Sequence, residues 1–119
     1  MKNEKNNFVC IGAVHNDYVL QLKKNYFRNR TNPITQKIIL GGVAYNIALK
    51  LSYLKKKIEL ISLDCNNEIK KEILKNKIKF IPLSNTISSR SYLSVLNNKG
   101  QMIIGLANLD TYEKTKISK

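Results

Sequence analysis

The chain has 119 residues, of which 43% are hydrophobic, and a formal net charge of +13. This length suits one domain with a core of its own, and no apolar run is long enough to span a membrane. The positive charge is almost entirely lysine spread along the whole chain. That distribution indicates a compositional bias rather than a surface built to follow phosphates, so we expect neither a nucleic acid nor a membrane as partner.

The first apolar run, Phe8–Val14, is at the lower length limit for the core of a signal peptide. Polar residues at 15–17 follow it in place of a small-residue cleavage site, so we expect no signal peptide. Cys10 and Cys65 belong to no metal-ligand pattern. We therefore predict no metal site and a reducing, cytoplasmic location.

Strand and helix patterns alternate along the chain. Phe8–Ile11 is a continuous apolar run, which favours a strand buried on both faces of a parallel sheet. It is followed by a more exposed strand, a basic loop over 23–33, a short strand and the first helix. The chain then continues with a strand, a second helix and a last strand, which we place near a sheet edge. The predicted bounds of these elements are Tyr18–Leu22, Ile38–Leu40, Val43–Leu54, Ile58–Leu63, Asn67–Lys77 and Ile78–Leu83.

The pattern changes after Leu83. Two strand-like runs, Ser91–Leu96 and Gln101–Leu106, are joined by Asn97–Gly100, which predicts a β-hairpin. The polar residues from 108 onward predict no closing helix or strand. The fold class is therefore α/β, with a Rossmann-like parallel sheet, helices on both faces and a small antiparallel β-lid.

The glycine pair Gly41 and Gly42 stands directly before the first predicted helix. A glycine pair there lets a ligand approach the backbone, and the free N–H groups of the first helical turn would point at it. An ordinary turn before a core helix is the alternative interpretation. Helical spacing places one apolar stripe on this helix, with Asn46 off the stripe. The stripe consists of Val43, Ile47, Leu51 and Leu54.

Asp17 follows the first strand at the edge where open α/β sheets bind ligands. Because Gly42 and Asn46 open the first helix, we expect all three residues to lie close together at that edge. A plain turn residue is the alternative interpretation for Asp17.

Three stretches resemble the PfkB (ribokinase-like) carbohydrate kinase family. The segment Gly12–Asp17 resembles the end of the family's first strand, and Gly41-Gly42 followed by Asn46 and Ala48 resembles its first signature. The segment Ser91–Gly100 resembles its lid hairpin. Within the family, Asn32-Pro33 before the glycine pair, together with Tyr92-Leu93-Ser94, looks most like pseudouridine kinases.

The resemblance implies a truncated ribokinase-like fold, as a single incomplete domain over residues 1–119. Its core would be 8–16 and 41–83, and its β-lid 17–40 and 90–107. It implies a kinase that transfers the γ-phosphate of ATP to a hydroxyl of pseudouridine or a related nucleoside or sugar. The substrate-binding residues would be Asp17, Gly41, Gly42 and Asn46.

The resemblance also implies ATP and Mg²⁺ as cofactors, bound by residues outside this chain. No catalytic residue is expected here, because the family's second signature is missing and Asp110-Thr111 is no substitute for it. The chain alone would therefore be inactive. A dimer through the lid or through an exposed sheet edge is a further expectation.

Other positions depart from the family pattern. His15 stands where the family commonly has asparagine, and Lys55 replaces the glycine that usually closes the first helix. The segment Leu63–Asn67 lacks the family's glycine and aspartate. Two alternatives stay open: a non-catalytic remnant or interaction module, and a basic nucleic-acid-binding domain.

Overall fold

The computed structural model of the chain describes residues 7–115. A three-stranded parallel sheet, the core sheet, has the order β1-β4-β5, and a four-stranded sheet, the lid sheet, has the order β3-β2-β6-β7. The elements in chain order are β1 (Asn7–Ile11), β2 (His15–Leu22), β3 (Ile34–Gly41), α1 (Val43–Tyr53), β4 (Lys57–Asp64), α2 (Asn67–Lys75), β5 (Lys79–Ile87), β6 (Ser91–Leu96), β7 (Met102–Asn108) and α3 (Asp110–Lys114).

The hydrophobic core lies between the core sheet and the two longer helices. The chain steps from β1 to β4 and then to β5 in one direction, and right-handed connections of this kind put both helices on the same face. Accordingly, α1 and α2 contribute to a single buried cluster. Leu60 of β4, Ala48 of α1 and Ile73 of α2 are all fully buried within it.

The opposite face of the core sheet is covered only near its carboxyl end. α3 lies beside this end of the sheet, where its residue Tyr112 lines a small cavity of about 130 Å³ together with Ile11 and Leu63. The predicted α/β class with a parallel sheet is confirmed, with the two longer helices on one face and the short α3 near the carboxyl end of the sheet. The prediction that β1 is buried on both faces is wrong, since Val9 is 53% and Ile11 70% exposed. The five-residue α3 is too short to cover the whole length of a strand.

The predicted helix at α1 is confirmed, but its buried face was misassigned. The stripe residues Val43, Ile47 and Leu54 are exposed, and Leu51 is half-buried. The buried residues are Ala44, Tyr45 and Ala48. The helix lies close to β1 and β4, and small side chains permit that approach, whereas a pattern based on large apolar residues gives alanine little weight.

The lid sheet combines two antiparallel hairpins joined by one parallel pair. β2 pairs antiparallel with β3, and β6 pairs antiparallel with β7 through the predicted turn at Asn97–Gly100. β2 and β6, which lie far apart in the sequence, run parallel at the centre. The hairpin prediction is confirmed, and the strands of this sheet lie within 15–41 and 91–108.

Several elements are longer than the sequence pattern predicts. β2 begins at His15, so Asp17 lies within a strand and the turn interpretation of it is wrong. β5 continues through Pro82 to Ile87 after an irregularity in its pairing with β4. The sequence pattern also gave no helix after the lid, whereas α3 follows β7 directly. Residues 116–119 of the predicted polar tail lie outside the described residues.

None of the helices within residues 7–115 combines the length and the apolar character that crossing a membrane would take.

Candidate functional site

A cleft of about 600 Å³ lies between the core and the lid. Its wall comes from the end of β1, the turn into β2, the start of α1 and the first residues of β6. Of the four predicted substrate-binding residues, Asp17, Gly42 and Asn46 line it, and Gly41 does not. The remaining lining residues are Val9, Cys10, Ile11, Gly12, Ala13, His15, Val43, Ala44, Ile47, Arg90 and Tyr92.

The Asp17 side chain is placed by the pleat of the lid sheet. In the register of that sheet Asp17 lies opposite Ile39 on one side and Tyr92 on the other, so Asp17 and Tyr92 share a face. Gly41, the last residue of β3, lies beside the carboxylate. A Cβ added at Gly41 would overlap that carboxylate group. Gly41 therefore supports the site by leaving room for Asp17.

The imidazole ring of His15 is in close contact with the Asp17 carboxylate. Its Nδ1 lies 2.8 Å from Oδ1 of Asp17. The His15 side chain is 8% exposed and that of Asp17 is 26% exposed. Both of these atoms are buried, and neither has a hydrogen bond of acceptable geometry within residues 7–115. The pair is therefore in close electrostatic contact but lacks a well-directed hydrogen bond.

The start of α1 forms another part of the cleft wall. Gly42 is the N-cap residue and has a φ of 105°, a conformation that residues with a Cβ rarely adopt. A Cβ there would also overlap the carbonyl oxygen of Ala13. Asn46, exposed and one turn further along, presents its amide at the same cleft. The backbone carbonyl of Ala13 thus occupies the space that the missing Cβ of Gly42 leaves free.

Arg90 and Tyr92 are cleft residues that the sequence did not predict to bind the substrate. Both come from the lid side, where β6 begins. The Arg90 guanidinium lies 5.3 Å from the ring centroid of Tyr112, whose hydroxyl is 3.1 Å from Oγ of Ser62. This chain of contacts ties the base of the lid to the core sheet. The position of Tyr92 in the predicted lid hairpin was the one sequence signal for these residues.

The segment after β4, where the family pattern is broken, lies away from the cleft. Oδ1 of Asp64 is 2.7 Å from Nζ of Lys70, and this hydrogen bond lowers the pKa of the Asp64 carboxyl. Burial raises the pKa of the neighbouring Cys65 thiol to about 11. A thiol with that pKa stays protonated at neutral pH, so Cys65 is a packing residue rather than a nucleophile.

Asp110 also lies apart from the cleft, in a shallow depression beside Ser84 and Thr86. Within residues 7–115, no three or more His, Cys, Asp or Glu side chains come together as a metal site would require. Among the described residues that line the cleft, Asp17 is the one acidic side chain.

Comparison with known proteins identifies the fold. The chain is similar in structure to a carbohydrate kinase from Agrobacterium tumefaciens, with a TM-score of 0.76 and 20% identity over 89% of this chain. It is similar to a nucleoside kinase of the ribokinase family from Methanocaldococcus jannaschii, with a TM-score of 0.73 and 16% identity over 92% of this chain. A third similar structure is a ribokinase from Cryptococcus neoformans var. grubii in complex with ADP, with a TM-score of 0.66 and 14% identity over 88% of this chain.

These similarities show a ribokinase-like fold, as the sequence predicted. The chain spans 36%, 40% and 35% of the lengths of the three solved chains, respectively. No family model matches the sequence, and no curated protein matches it either.

Proposed function

We propose that this chain forms the sugar-binding cleft and the lid of a PfkB-type kinase, within one incomplete ribokinase-like domain. The substrate would be pseudouridine or a related nucleoside or sugar. The observation that carries the proposal is the presence of Asp17 and Asn46 in one cleft. The first lies on a lid strand and the second on a core helix, so a ligand touching both would be held between lid and core.

The polar groups of the cleft suit a polyhydroxylated ligand. A carboxylate accepts hydrogen bonds from two neighbouring hydroxyls, and a side-chain amide both donates and accepts. Among the described lining residues, only Arg90 carries a permanent positive charge. This favours a neutral sugar over a polyanion, and nucleic acid is accordingly not proposed as a partner. Both cysteines are buried as free thiols, which agrees with a cytoplasmic location.

ATP would supply the phosphoryl group, and we propose that ATP and its Mg²⁺ are bound by residues outside this chain. Bringing the lid down on the substrate would exclude water from such a transfer. This chain's own contribution is therefore to bind and orient the sugar. We expect the chain alone to bind substrate and to transfer no phosphate from ATP.

Binding of ribose, uridine and pseudouridine to the full chain, measured by isothermal titration calorimetry, tests the proposal. Asp17→Asn should weaken the binding of each ligand about tenfold to a hundredfold, because a charged hydrogen bond contributes about 1.5–3 kcal/mol. Asn46→Ala should weaken it about threefold to tenfold, because a neutral bond contributes about 0.5–1.5 kcal/mol. The order of affinities across the three ligands identifies the substrate class.

Two control variants lie beside the tested residues. Asn16 precedes Asp17 on β2 and points to the other face of the strand, and Lys50 is one turn beyond Asn46 on α1. Neither lines the cleft. Asn16→Ala and Lys50→Ala should leave the Kd unchanged. Absence of binding by the wild type, or equal effects of all four variants, would contradict the proposal. Phosphorylated product in the presence of ATP and Mg²⁺ would contradict the expected inactivity.

We also propose that two copies of the chain form a dimer through the outer face of the lid sheet, which is the face opposite to that of Asp17. Residues on this face alternate with those on the Asp17 face, and one apolar row crosses all four strands. On the two edge strands of the sheet the row is half exposed, with Ile38 at 52% and Leu106 at 48%. The row consists of Ile38, Tyr18, Leu93 and Leu106. A second copy that packs the same face would cover it.

A further inference from the structure

His15 contacts the proposed sugar-binding carboxylate in a buried setting. It is the first residue of β2, and Asp17 lies two residues later on the same strand, so the two side chains share a face. Nδ1 of His15 and Oδ1 of Asp17 are 2.8 Å apart, and both atoms are buried without a hydrogen-bond partner among residues 7–115. A buried polar atom without a partner is costly, so this pair needs a specific proton arrangement.

A hydrogen between the two atoms makes this contact attractive, and without one the contact is repulsive. An imidazole nitrogen without a hydrogen presents a lone pair, and a lone pair facing a carboxylate oxygen is repelled by it. A hydrogen on Nδ1 turns the same contact into donation toward Oδ1. We place this hydrogen on Nδ1 of His15, in the neutral or the charged ring.

We propose that His15 is a positioning residue, which holds Oδ1 of Asp17 so that the other carboxylate oxygen, Oδ2, faces the ligand. Oδ1 is buried against the ring, whereas the Asp17 side chain as a whole keeps 26% of its exposure. Gly41 leaves the space in which Oδ2 lies. The role in ligand binding rests on the proposed function, but the proton on Nδ1 does not.

The protonation of the ring can be measured directly, because His15 is the only histidine in the chain. Two-bond ¹H–¹⁵N correlation spectra of the ¹⁵N-labelled full chain give the tautomer of that single ring. We expect Nδ1 to be protonated in the wild type and the Nε2–H form to predominate in Asp17→Ala. An unprotonated Nδ1 in the wild type would overturn the proposal.

Ribose binding then separates positioning from simple packing. His15→Leu keeps an apolar side chain of similar bulk and removes the donor, so we expect about tenfold weaker binding. His15→Asn keeps an N–H donor near the position of Nδ1 and should stay within about threefold of the wild type. Thermal unfolding of both variants checks that they are folded, and the protonation of the His15 ring decides the proposal if His15→Leu does not fold.

The possible outcomes are distinct. Equal ribose affinity in the wild type and in folded His15→Leu would contradict positioning even if the tautomer is as expected. A wild type that binds no ribose, uridine or pseudouridine would remove the proposed function, and the ring protonation would then decide the His15–Asp17 contact by itself.

Discussion

Lys55 has a backbone conformation that residues with a Cβ rarely adopt. It follows α1 with a φ of 56°, in the left-handed region, and its N–H donates to the carbonyl of Ser52. Helices often end on such a residue, and glycine is the usual choice because a Cβ is strained there. Helix α1 thus ends in a left-handed turn with lysine at the position that glycine usually takes.

Lys55→Gly should therefore stabilise the protein. The left-handed conformation costs a residue with a Cβ about 1–2 kcal/mol, and part of that gain is lost because glycine makes the unfolded chain more flexible. We expect the free energy of unfolding, measured by urea denaturation, to rise by about 0.5–1 kcal/mol. Lys56→Gly, one residue later and without a positive φ, is the control and should not stabilise. Equal effects at both positions would show that backbone strain is not the cause.

The site residues were predictable from sequence to different degrees. Asp17 and Asn46 could be selected because each combines a polar side chain with a position at the carboxyl edge of the predicted sheet. The part played by Gly41 could not, because it depends on cross-strand neighbours that come together only in the folded lid. For His15 the sequence signalled only a departure from asparagine, and its contact with Asp17 required β2 to begin two residues before the carboxylate.

At the scale of single elements, α1 has two different faces: Ala44, Tyr45 and Ala48 are buried, whereas Val43 and Ile47 are exposed. Ala48 is fully buried against the core sheet, whereas Ile47 is 50% exposed and lines the cleft. Two of the three buried residues of α1 are alanines, whose small side chains permit a close approach of the helix to the sheet. Ile47 and Val43 instead give the proposed sugar site an apolar wall.

This arrangement predicts that substitutions at two adjacent residues, Ile47 and Ala48, change the free energy of unfolding to different extents. Ala48→Leu adds volume to a closely packed contact and should lower the free energy of unfolding by about 1–3 kcal/mol. Ile47→Ala removes a half-exposed side chain but improves helix propensity, so the change should stay within about 0.5 kcal/mol. Chemical denaturation of both variants measures the difference. A larger loss in Ile47→Ala than in Ala48→Leu would place the buried face on the other side.

Element identity was easier to predict than element faces and ends. The glycine pair and the helical spacing located α1 correctly, and the turn at Asn97–Gly100 located the β6–β7 hairpin. β2 was predicted too short because His15–Asp17 is polar, and it extends because β3 and β6 both offer it partners. The short, polar α3 lacks an apolar period, and its contacts with distant residues come from Tyr112 and Thr111.

For the molecule as a whole, the proposed dimer must bring together two strongly basic chains. Each chain carries a formal charge of +13, so repulsion opposes association and salt should weaken that repulsion. We expect the dimer fraction in sedimentation velocity to rise between low and moderate salt. Leu106→Lys, in the apolar row of the lid, should give a monomer at all salt concentrations.

Leu74→Lys is the matched control for that change. Leu74 is 63% exposed on α2, on the core rather than the lid, so its variant should dimerise like the wild type. A dimer that survives Leu106→Lys would indicate association through a sheet edge. A wild type that stays monomeric at every concentration and salt tested would contradict the dimer altogether.

The parallel pair at the centre of the lid also bears on how the chain folds. Asn16 pairs with Ser91, and all of α1, β4, α2 and β5 lie between them in the sequence. The two lid hairpins, β2–β3 and β6–β7, are local and can form early, but joining them closes a long loop. Because the core elements occupy that loop, they can bring the hairpins together once they have assembled. The cleft, which takes Asp17 from one hairpin and Tyr92 from the other, would then be completed in the last step of folding.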